Sequence, residues 1–294
     1  MKSKLIEQAR ETERGNGVIL EILKGIFVFL VTGIITAIPI AFIMLLGMED
    51  NNTITLITLY FDLVTIILII LYCSIFEKRP ISTVGFIKEG CAKQYLKGLL
   101  VGFIMFASVI GLGSLVGAYK FAGFKSDTSI ISLFLYFGGF VFQGMFEEVL
   151  CRGYMMISIA RKNSVPMAIF ANSLFFMLLH TSNPGFNVLP AINLMLFGIF
   201  TSLYMLKTNN IWGVGAIHTI WNFAQGNIFG LNVSGLDKMP TLFSFESTGL
   251  ELVNGGSFGP EGGFLVTIVM VFGIALLCKP NKRIHEDNKE NTTH

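Results

Sequence analysis

Six Asp, Glu, Arg and His side chains interrupt the long apolar stretches of this sequence. They are Asp62, Glu147, Glu148, Arg152, His180 and His218. A charged group at the centre of a membrane costs about 2.5 kcal/mol or more, so residues of this kind are functional candidates by default. A polar amide, Asn222, follows His218 by four residues. Carboxylates, imidazoles and amides are the groups that serve hydrolysis as general bases and as donors to a developing oxyanion.

The segment 147–152 places two acids and an arginine close together on one predicted helix. Glu148 and Arg152 are four residues apart, in the order that favours an ion pair on one helix face. Helix packing explains that pair without any chemistry. Glu147 points about 100° away and has no such partner. A carboxylate kept from water becomes more basic, and this property suits a general base.

Each histidine has a notable neighbour four residues away. His180 follows Phe176, so the two share a helix face. A single buried histidine is most often a packing residue, and catalysis is the alternative interpretation. His218 and Asn222 also share a face, which suits an oxyanion hole and, equally, hydrogen bonding between helices. We interpret Asp62 as a packing or water-facing residue near the outer end of its own segment.

Two histidines and a glutamate on three segments fit either a metal-assisted hydrolase or a general-base hydrolase. If a divalent metal such as zinc takes part, its predicted ligands are Glu147, His180 and His218. Whether there is a cofactor stays open at this point. The sequence has no His-Glu-x-x-His zinc signature and no Gly-x-Ser-x-Gly nucleophile motif. The four cysteines are scattered, which argues against a disulfide framework or a thiolate metal site.

The segments that must position these residues are apolar. Hydrophobic residues make up 53% of the 294-residue chain and charged residues only 14%, against about 25% charged in a soluble domain. Eight apolar runs approach the roughly 20 residues needed to cross a bilayer. The runs are Ile22–Gly47, Ile54–Phe76, Tyr95–Tyr119, Ile130–Ile159, Val165–His180, Leu189–Leu206, Ile211–Phe229 and Gly262–Cys278. We therefore predict an all-α fold, a polytopic transmembrane helix bundle of about eight spans.

Lys and Arg residues are distributed unevenly between the predicted loops. With a cytoplasmic N-terminus, 17 of the 21 fall on the cytoplasmic side, three fall outside and Arg152 lies within a span. This bias predicts that both termini are cytoplasmic. The predicted organisation is a cytoplasmic N-terminal segment over 1–21, a transmembrane domain over 22–278 and a polar cytoplasmic tail over 279–294. The Gly-rich outer segment Gly230–Gly263 is either a lid or simply an ordered loop.

The predicted helices set the depth of each candidate residue. Glu147 and His180 lie equally far from the cytoplasmic turn near Asn163, so both should sit about 25 Å above it on an antiparallel hairpin. His218 lies only eight residues, about 12 Å, above its own cytoplasmic turn near Asn210. It reaches the other two only if its helix starts deeper or is tilted. We nevertheless predict that these residues and Asn222 converge on one water-accessible cavity.

The sequence resembles the CPBP family in three motifs that occur in the family's order on successive predicted helices. The motifs are Glu147-Glu148-x-x-x-Arg152, Phe176-x-x-x-His180 and His218-x-x-x-Asn222. The family includes CAAX prenyl endopeptidases and the Abi-type bacterial proteins of bacteriocin processing or immunity. The motif-bearing core covers roughly 133–227, and the first three spans contain no matching motif.

The resemblance implies a role for each motif residue. Glu147 and His180 are expected to activate water, and His218 and Asn222 to stabilise the tetrahedral oxyanion. The residues expected to support them structurally are Glu148, Arg152 and Phe176. Members of the family are described as metalloproteases, and the sequence does not decide whether a metal takes part in catalysis.

The leading functional hypothesis is an intramembrane endopeptidase. One alternative is a non-catalytic membrane protein for bacteriocin immunity or partner binding, and another is a transporter that uses the acids as a proton relay. The expected partners are a membrane-associated protein or peptide substrate and the lipid bilayer. The net charge of +2 gives no reason to expect nucleic acid. The expected location is an integral, multi-pass position in a membrane, the plasma membrane if the protein is bacterial.

Overall fold

The computed structural model describes residues 3–12, 15–47, 50–236 and 238–279. Helices dominate this part of the chain. Their bounds are α1 Lys4–Arg10, α2 Val18–Leu45, α3 Asn51–Ile75, α4 Cys91–Leu115, α5 Ile130–Lys162, α6 Val165–Leu178, α7 Val188–Thr208, α8 Trp212–Phe223, α9 Glu251–Asn254 and α10 Phe264–Cys278. The polar tail predicted over 279–294 lies, apart from Lys279, outside the described residues.

Each of the eight predicted apolar runs contains a helix, so the mainly helical fold is confirmed. The helices α2, α3, α4, α5 and α7 are long and apolar enough to cross a bilayer. The helices α6 and α10 are apolar but shorter, and α8 has only 12 residues. Helix length therefore supports five spans. The count of eight and the cytoplasmic position of both termini stay predictions.

The outer segments depart from the all-α prediction, because they form a small antiparallel sheet. Strand β1 (Tyr119–Phe124) pairs with β2 (Phe243–Ser247). The third predicted run extended to Tyr119, which instead begins β1. Aromatic rings pack across the two strands, with the centroids of Phe121 and Phe245 5.4 Å apart. Cross-strand aromatic pairs of this kind stabilise a sheet too short to be stable by its hydrogen bonds alone.

The described part of the Gly-rich segment 230–263 contains β2, α9 and two short 3₁₀ turns. Its acidic residue Glu261 is buried and accepts hydrogen bonds from Trp221 Nε1 at 3.1 Å and from the Ser234 N–H at 2.8 Å. Because Trp221 belongs to α8, these bonds attach the outer segment to the helix that carries the third motif.

Helix α8 starts deep inside the bundle. It is preceded by Ile211, a fully buried residue whose N–H donates to Gly85 O at 2.9 Å. The loop around Gly85 therefore fills the space beneath α8. On α5, Gly153 lies against Ile211, so α8 begins level with Gly153 and far above the turn that ends α5. His218 is then about 10 Å up α8 and Glu147 about 9 Å up α5 from the same level.

Glycines allow α8 to approach the helices on both sides. A Cβ at Gly102 of α4 would lie 2.7 Å from Ile217 O, and one at Gly144 of α5 would lie 2.7 Å from Thr219 N. Real side chains do not come so close to a backbone. Small residues of this kind bring membrane helices into backbone contact, and here they bring the His218 region of α8 against α5.

Helix α5 changes its hydrogen-bond pattern directly after the paired acids. Val149–Met156 forms π-helical turns, and every residue in the segment is buried. Single π segments inside α-helices are often found at functional sites. The wider turns here begin where Glu148 ends the regular helix, so the acidic pair lies at a change in helical geometry.

The N-terminal segment predicted over 1–21 contains a short docked helix. In α1, Leu5, Ile6 and Ala9 are buried. The guanidinium of Arg10 donates to Ala160 O at 2.9 Å. Helix α1 therefore packs on the end of α5 that lies farthest from the predicted outer face.

Candidate active site

The four residues predicted to be catalytic line one cavity inside the helix bundle. Its volume is about 510 Å³, and its wall includes Glu147, His180, His218 and Asn222. Phe176 of the second motif lines the same cavity. The predicted convergence is thus confirmed, and the deep start of α8 explains how His218 reaches the level of Glu147.

The Glu147 carboxylate is braced on one side and faces a histidine on the other. Its Oε1 accepts a hydrogen bond from Gln143 Nε2 at 2.6 Å. Its Oε2 lies 3.5 Å from His218 Nε2, and this oxygen has no hydrogen-bond partner within the described residues. No Lys or Arg in the described part of the chain pairs with it. One carboxylate oxygen is therefore held in place while the other is available to a ligand or water.

Glu148 has a second role beyond the predicted ion pair. Its Oε1 accepts from Arg152 Nη1 at 3.1 Å, and both side chains are fully buried. The same oxygen accepts from His218 Nδ1 at 2.9 Å. An imidazole that donates through Nδ1 to a carboxylate is fixed in orientation and tautomer. Glu148 therefore directs His218 Nε2 towards Glu147 and the cavity.

His180 lies just past the end of its helix. The fifth apolar run was predicted to extend to His180, but α6 ends at Leu178 and His180 falls in the following turn. Its Nδ1 donates to Phe176 O, 2.9 Å away. That bond leaves Nε2 as the ring nitrogen available to the cavity. The rings of Phe176 and His180 are 4.9 Å apart, so the predicted shared face is confirmed.

Asn222 is connected to Glu147 through a residue that the motif analysis missed. Asn222 Nδ2 donates to Gln143 Oε1 at 2.9 Å, and the amide nitrogen of Gln143 in turn donates to Glu147. Because a carboxylate only accepts, the orientation of both amides is determined. The signal in the sequence was the spacing: Gln143 precedes Glu147 by four residues and shares its face.

Aromatic rings enclose the buried charges. The Arg152 guanidinium lies over the Phe176 ring, 4.6 Å from its centroid. The His218 ring is 5.9 Å from Phe176 and 5.0 Å from Phe197, in edge-on arrangements. The cation–π contact partly compensates Arg152 for the loss of water. This supports the prediction that Phe176 and Arg152 have a structural role.

Asp62 also lines the cavity, contrary to its interpretation as a residue near the outer end of its helix. Helix α3 begins at Asn51, so Asp62 lies three turns inside, near the middle of the helix. The error arose because the apolar run starts later than the helix. Two further acceptor groups reach the cavity wall from distant segments, Asn193 and Glu261.

The predicted metal ligands Glu147, His180 and His218 do not form a three-ligand site. Two ligands of a tetrahedral zinc ion lie about 3.4 Å apart, and the 3.5 Å between His218 Nε2 and Glu147 Oε2 is close to this. Within the described residues, however, no three His, Cys, Asp or Glu side chains are arranged around a common point for a metal ion.

The chain was compared with known proteins. Residues 129–224 match the family described as type II CAAX prenyl endopeptidase Rce1-like. This segment of the chain is thus similar to the Rce1-like family. The match runs from the start of α5 to the end of α8 and contains all three motifs, whereas α1 to α4 and the outer Gly-rich segment lie outside it. Comparisons with curated proteins and with solved structures found no match.

The segment that resembles the family contains the residues singled out by the motifs. All the motif residues fall inside 129–224, and so does Gln143. Asp62 and Glu261 lie outside it and reach the cavity from other parts of the chain. The motif residues that line the cavity therefore belong to the matched segment, and α2 and α3 contribute further lining residues from outside it.

Proposed function

We propose that this Rce1-like protein is an intramembrane endopeptidase that hydrolyses a peptide bond in a membrane-associated protein or peptide. The observation that carries the proposal is the close approach of the Glu147 carboxylate to the His218 imidazole. One carboxylate oxygen is unbonded and faces Nε2 across 3.5 Å, inside a cavity that also receives His180 and Asn222. A base, a second imidazole and an amide around one cavity are the groups that amide hydrolysis requires.

In the proposed reaction, water lies between Glu147 and His180 and attacks the substrate carbonyl carbon. Glu147 accepts the water proton as the new C–O bond forms. The carbonyl oxygen becomes an oxyanion, which accepts hydrogen bonds from Asn222 and from His218 protonated on Nε2. Collapse of the tetrahedral intermediate breaks the C–N bond, and the proton held by Glu147 passes to the leaving amine.

Supporting contacts prepare this arrangement before substrate binds. Asn222 uses one amide hydrogen on Gln143, which leaves the second for the oxyanion. Glu148 accepts from His218 Nδ1 and so favours a ring that donates from both nitrogens in the transition state. Preorganised donors in a site shielded from water contribute more than the same donors in water.

The proposed setting is a multi-pass position in a membrane, the plasma membrane if the protein is bacterial. Five helices of spanning length and a cavity enclosed by helices support this setting. A substrate that is itself membrane-associated is the class that reaches such a cavity. Bacteriocin immunity remains the alternative role, and the following experiment separates the two.

The test compares wild-type protein with Glu147→Gln. Each protein is purified and placed in lipid vesicles with a membrane-protein extract, and mass spectrometry then maps the new N-termini that cleavage creates. The Glu147→Gln protein should create no new N-termini, because glutamine cannot accept the proton. Glu89→Gln, which removes an exposed carboxylate, is the matched control. New N-termini that persist in Glu147→Gln would disprove the assignment, and an immunity phenotype unchanged in that variant would favour a binding protein.

The other site residues should rank by their proposed roles. His180→Ala should lower turnover by several orders of magnitude, because the attacking water loses a partner. Asn222→Ala should cost about 10²–10³-fold, the usual penalty for one oxyanion donor. The same mapping of new N-termini, followed over time, gives both ratios.

A further inference from the structure

A second part of the cavity wall, which lies outside the three motifs, is rich in threonine and contains one acid. It is formed by α2 and α3, and on α3 the residues that line it recur at helical spacing: Thr55, Thr58, Asp62 and Thr65. On α2 the corresponding face carries Thr32 and Thr36. These helices lie outside the segment that matches the family.

The side chains of this part of the wall present hydrogen-bond acceptors to the cavity. Thr58 donates its hydroxyl hydrogen to Ile54 O, Thr32 donates to Phe29 O and Thr36 donates to Thr32 O, at 2.8–2.9 Å. Each hydroxyl oxygen therefore keeps its lone pairs for another donor. Asp62 adds a carboxylate among them. A surface of acceptors with one negative charge is complementary to a ligand that brings hydrogen-bond donors and a positive charge.

Among the carboxyl groups of the described residues that line the cavity, Asp62 is the one without a hydrogen-bond or ion-pair partner. Glu147 is bonded by Gln143, and Glu261 is bonded by Trp221 and Ser234. Asp62 has no hydrogen bond or ion pair with any residue in the described ranges, and none of the described residues that line the cavity is Lys or Arg. Inside a helix bundle an unpaired acid is energetically unfavourable. A cation supplied by a ligand would remove that cost.

A second observation points to a ligand in the same cavity. Asn222 is 4% exposed, and its Oδ1 has no hydrogen-bond partner among the described residues. Buried acceptors are normally bonded, so an orphaned one at a cavity wall indicates a donor that arrives from outside. Asn222 and Asp62 line the same cavity, Asn222 from α8 and Asp62 from α3.

We propose that Asp62 forms a substrate-recognition subsite, which binds a Lys or Arg side chain of the polypeptide that occupies the cavity. This inference rests on the proposed function and adds a substrate class to it. A substrate backbone that lies in the cavity brings N–H donors to Asn222 Oδ1 and to the threonine oxygens. Its basic side chain reaches Asp62. The preferred substrate thus has a Lys or Arg at a fixed distance from the bond that is cleaved.

The binding experiment uses the full-length Glu147→Gln protein in nanodiscs, so that no cleavage intervenes. The probes are fluorescent apolar peptides in which one Lys is moved stepwise along the sequence, each matched by a peptide with norleucine in the same place. At one or two positions the Lys peptide should bind at least about tenfold more tightly, the scale of a charge-assisted hydrogen bond. Adding Asp62→Asn should reduce that ratio to about one, whereas Asp62→Glu should keep most of it.

Controls separate the failure of this inference from the failure of the proposed function. Asp127→Asn removes an exposed acid between β1 and α5 and should leave the ratio of Lys-peptide to norleucine-peptide affinity unchanged. Equal binding of Lys and norleucine peptides at every position would overturn the subsite, even if wild-type protein cleaves peptides. Asp62-dependent binding of the Lys peptide by a wild type that cleaves nothing would support the subsite and overturn the proposed protease activity.

Discussion

Gln143 donates its side-chain amide to Glu147 Oε1 at 2.6 Å, one helical turn along α5. The oxygen of the same amide accepts from Asn222 of α8. Gln143 thus fixes the separation of the proposed base and the proposed oxyanion donor. It also adds a hydrogen bond to the carboxylate that must gain and then lose a proton in each turnover.

Gln143→Met should lower kcat by about 10–100-fold, because a hydrogen bond to a charged group contributes about 1.5–3 kcal/mol. KM should change much less, since Gln143 is proposed to position other residues and not to hold substrate. Steady-state kinetics on a peptide cleaved by wild type measure both. Gln8→Met, at an exposed position of α1, serves as the control. A Gln143→Met protein with wild-type kcat would show that the bridge between Glu147 and Asn222 is unimportant.

Arg152→Ala should reduce the amount of protein in the membrane more than it alters the chemistry. Arg152 and Glu148 are both fully buried, and removal of one partner of such a pair costs about 3–5 kcal/mol. The double variant Arg152→Ala, Glu148→Gln should recover abundance, because no lone charge remains. It should stay poorly active, because His218 loses the carboxylate that orients it.

Quantitative immunoblots of membrane fractions, together with turnover per molecule, test these expectations. Lys97→Ala removes an exposed cation and is the matched control. If Arg152→Ala accumulates like wild type but has no activity, Arg152 has a catalytic role and the structural assignment is wrong.

Gly102→Ala should destabilise the protein and displace the third motif. The added Cβ would lie 2.7 Å from Ile217 O and 2.5 Å from Ile220 Cγ2, on both sides of His218 in sequence. Overpacking of this kind typically costs about 1–3 kcal/mol. We expect a lower melting temperature in detergent and a lower turnover. Gly111→Ala is a strict control, because its Cβ would meet no atom within 4 Å; equal effects of the two changes would refute the packing argument.

Glu77→Gln should destabilise the end of the bundle that carries α1. Glu77 Oε2 accepts from Arg79 Nε at 2.7 Å, from Arg161 Nη1 at 3.2 Å and from Ser158 Oγ at 3.0 Å. The change leaves two buried guanidinium groups without their carboxylate, at a cost of about 3–5 kcal/mol. Thermal unfolding should show the loss, and Glu89→Gln should not. A melting temperature equal to wild type would mean that water replaces the lost carboxylate.

The helical architecture was predictable because apolar length and periodicity depend on nearby residues. All eight apolar runs contain helices, and the pairing of Glu148 with Arg152 follows from their spacing. The β1–β2 pair was not predictable, because the two strands are separated by more than a hundred residues and are stabilised by contacts between them. The exact end of α6 before His180 likewise depends on the turn that follows it.

The site was predicted as a set of residues but not as a set of contacts. The depth of His218 depends on the loop around Gly85, which lies far away in sequence and fills the space under α8. Gln143 was not predicted, because a neutral amide in an apolar run costs less free energy to bury than a charged group and so does not stand out in the sequence. Asp62 gave a signal, but only the packing of α3 against the motif helices reveals that its carboxyl group reaches the same cavity as Glu147.

Helices α2 and α6 differ twofold in length, with 28 and 14 residues. They are therefore about 42 Å and 21 Å long, whereas the hydrocarbon core of a bilayer is about 30 Å thick. In the proposed multi-pass arrangement, α6 is shorter than the hydrocarbon core, and lipid next to it must thin to match it. His180 lies in the turn that follows α6. We therefore expect the chain length of the surrounding lipids to change the depth of the imidazole below the membrane surface, and with it the rate of hydrolysis.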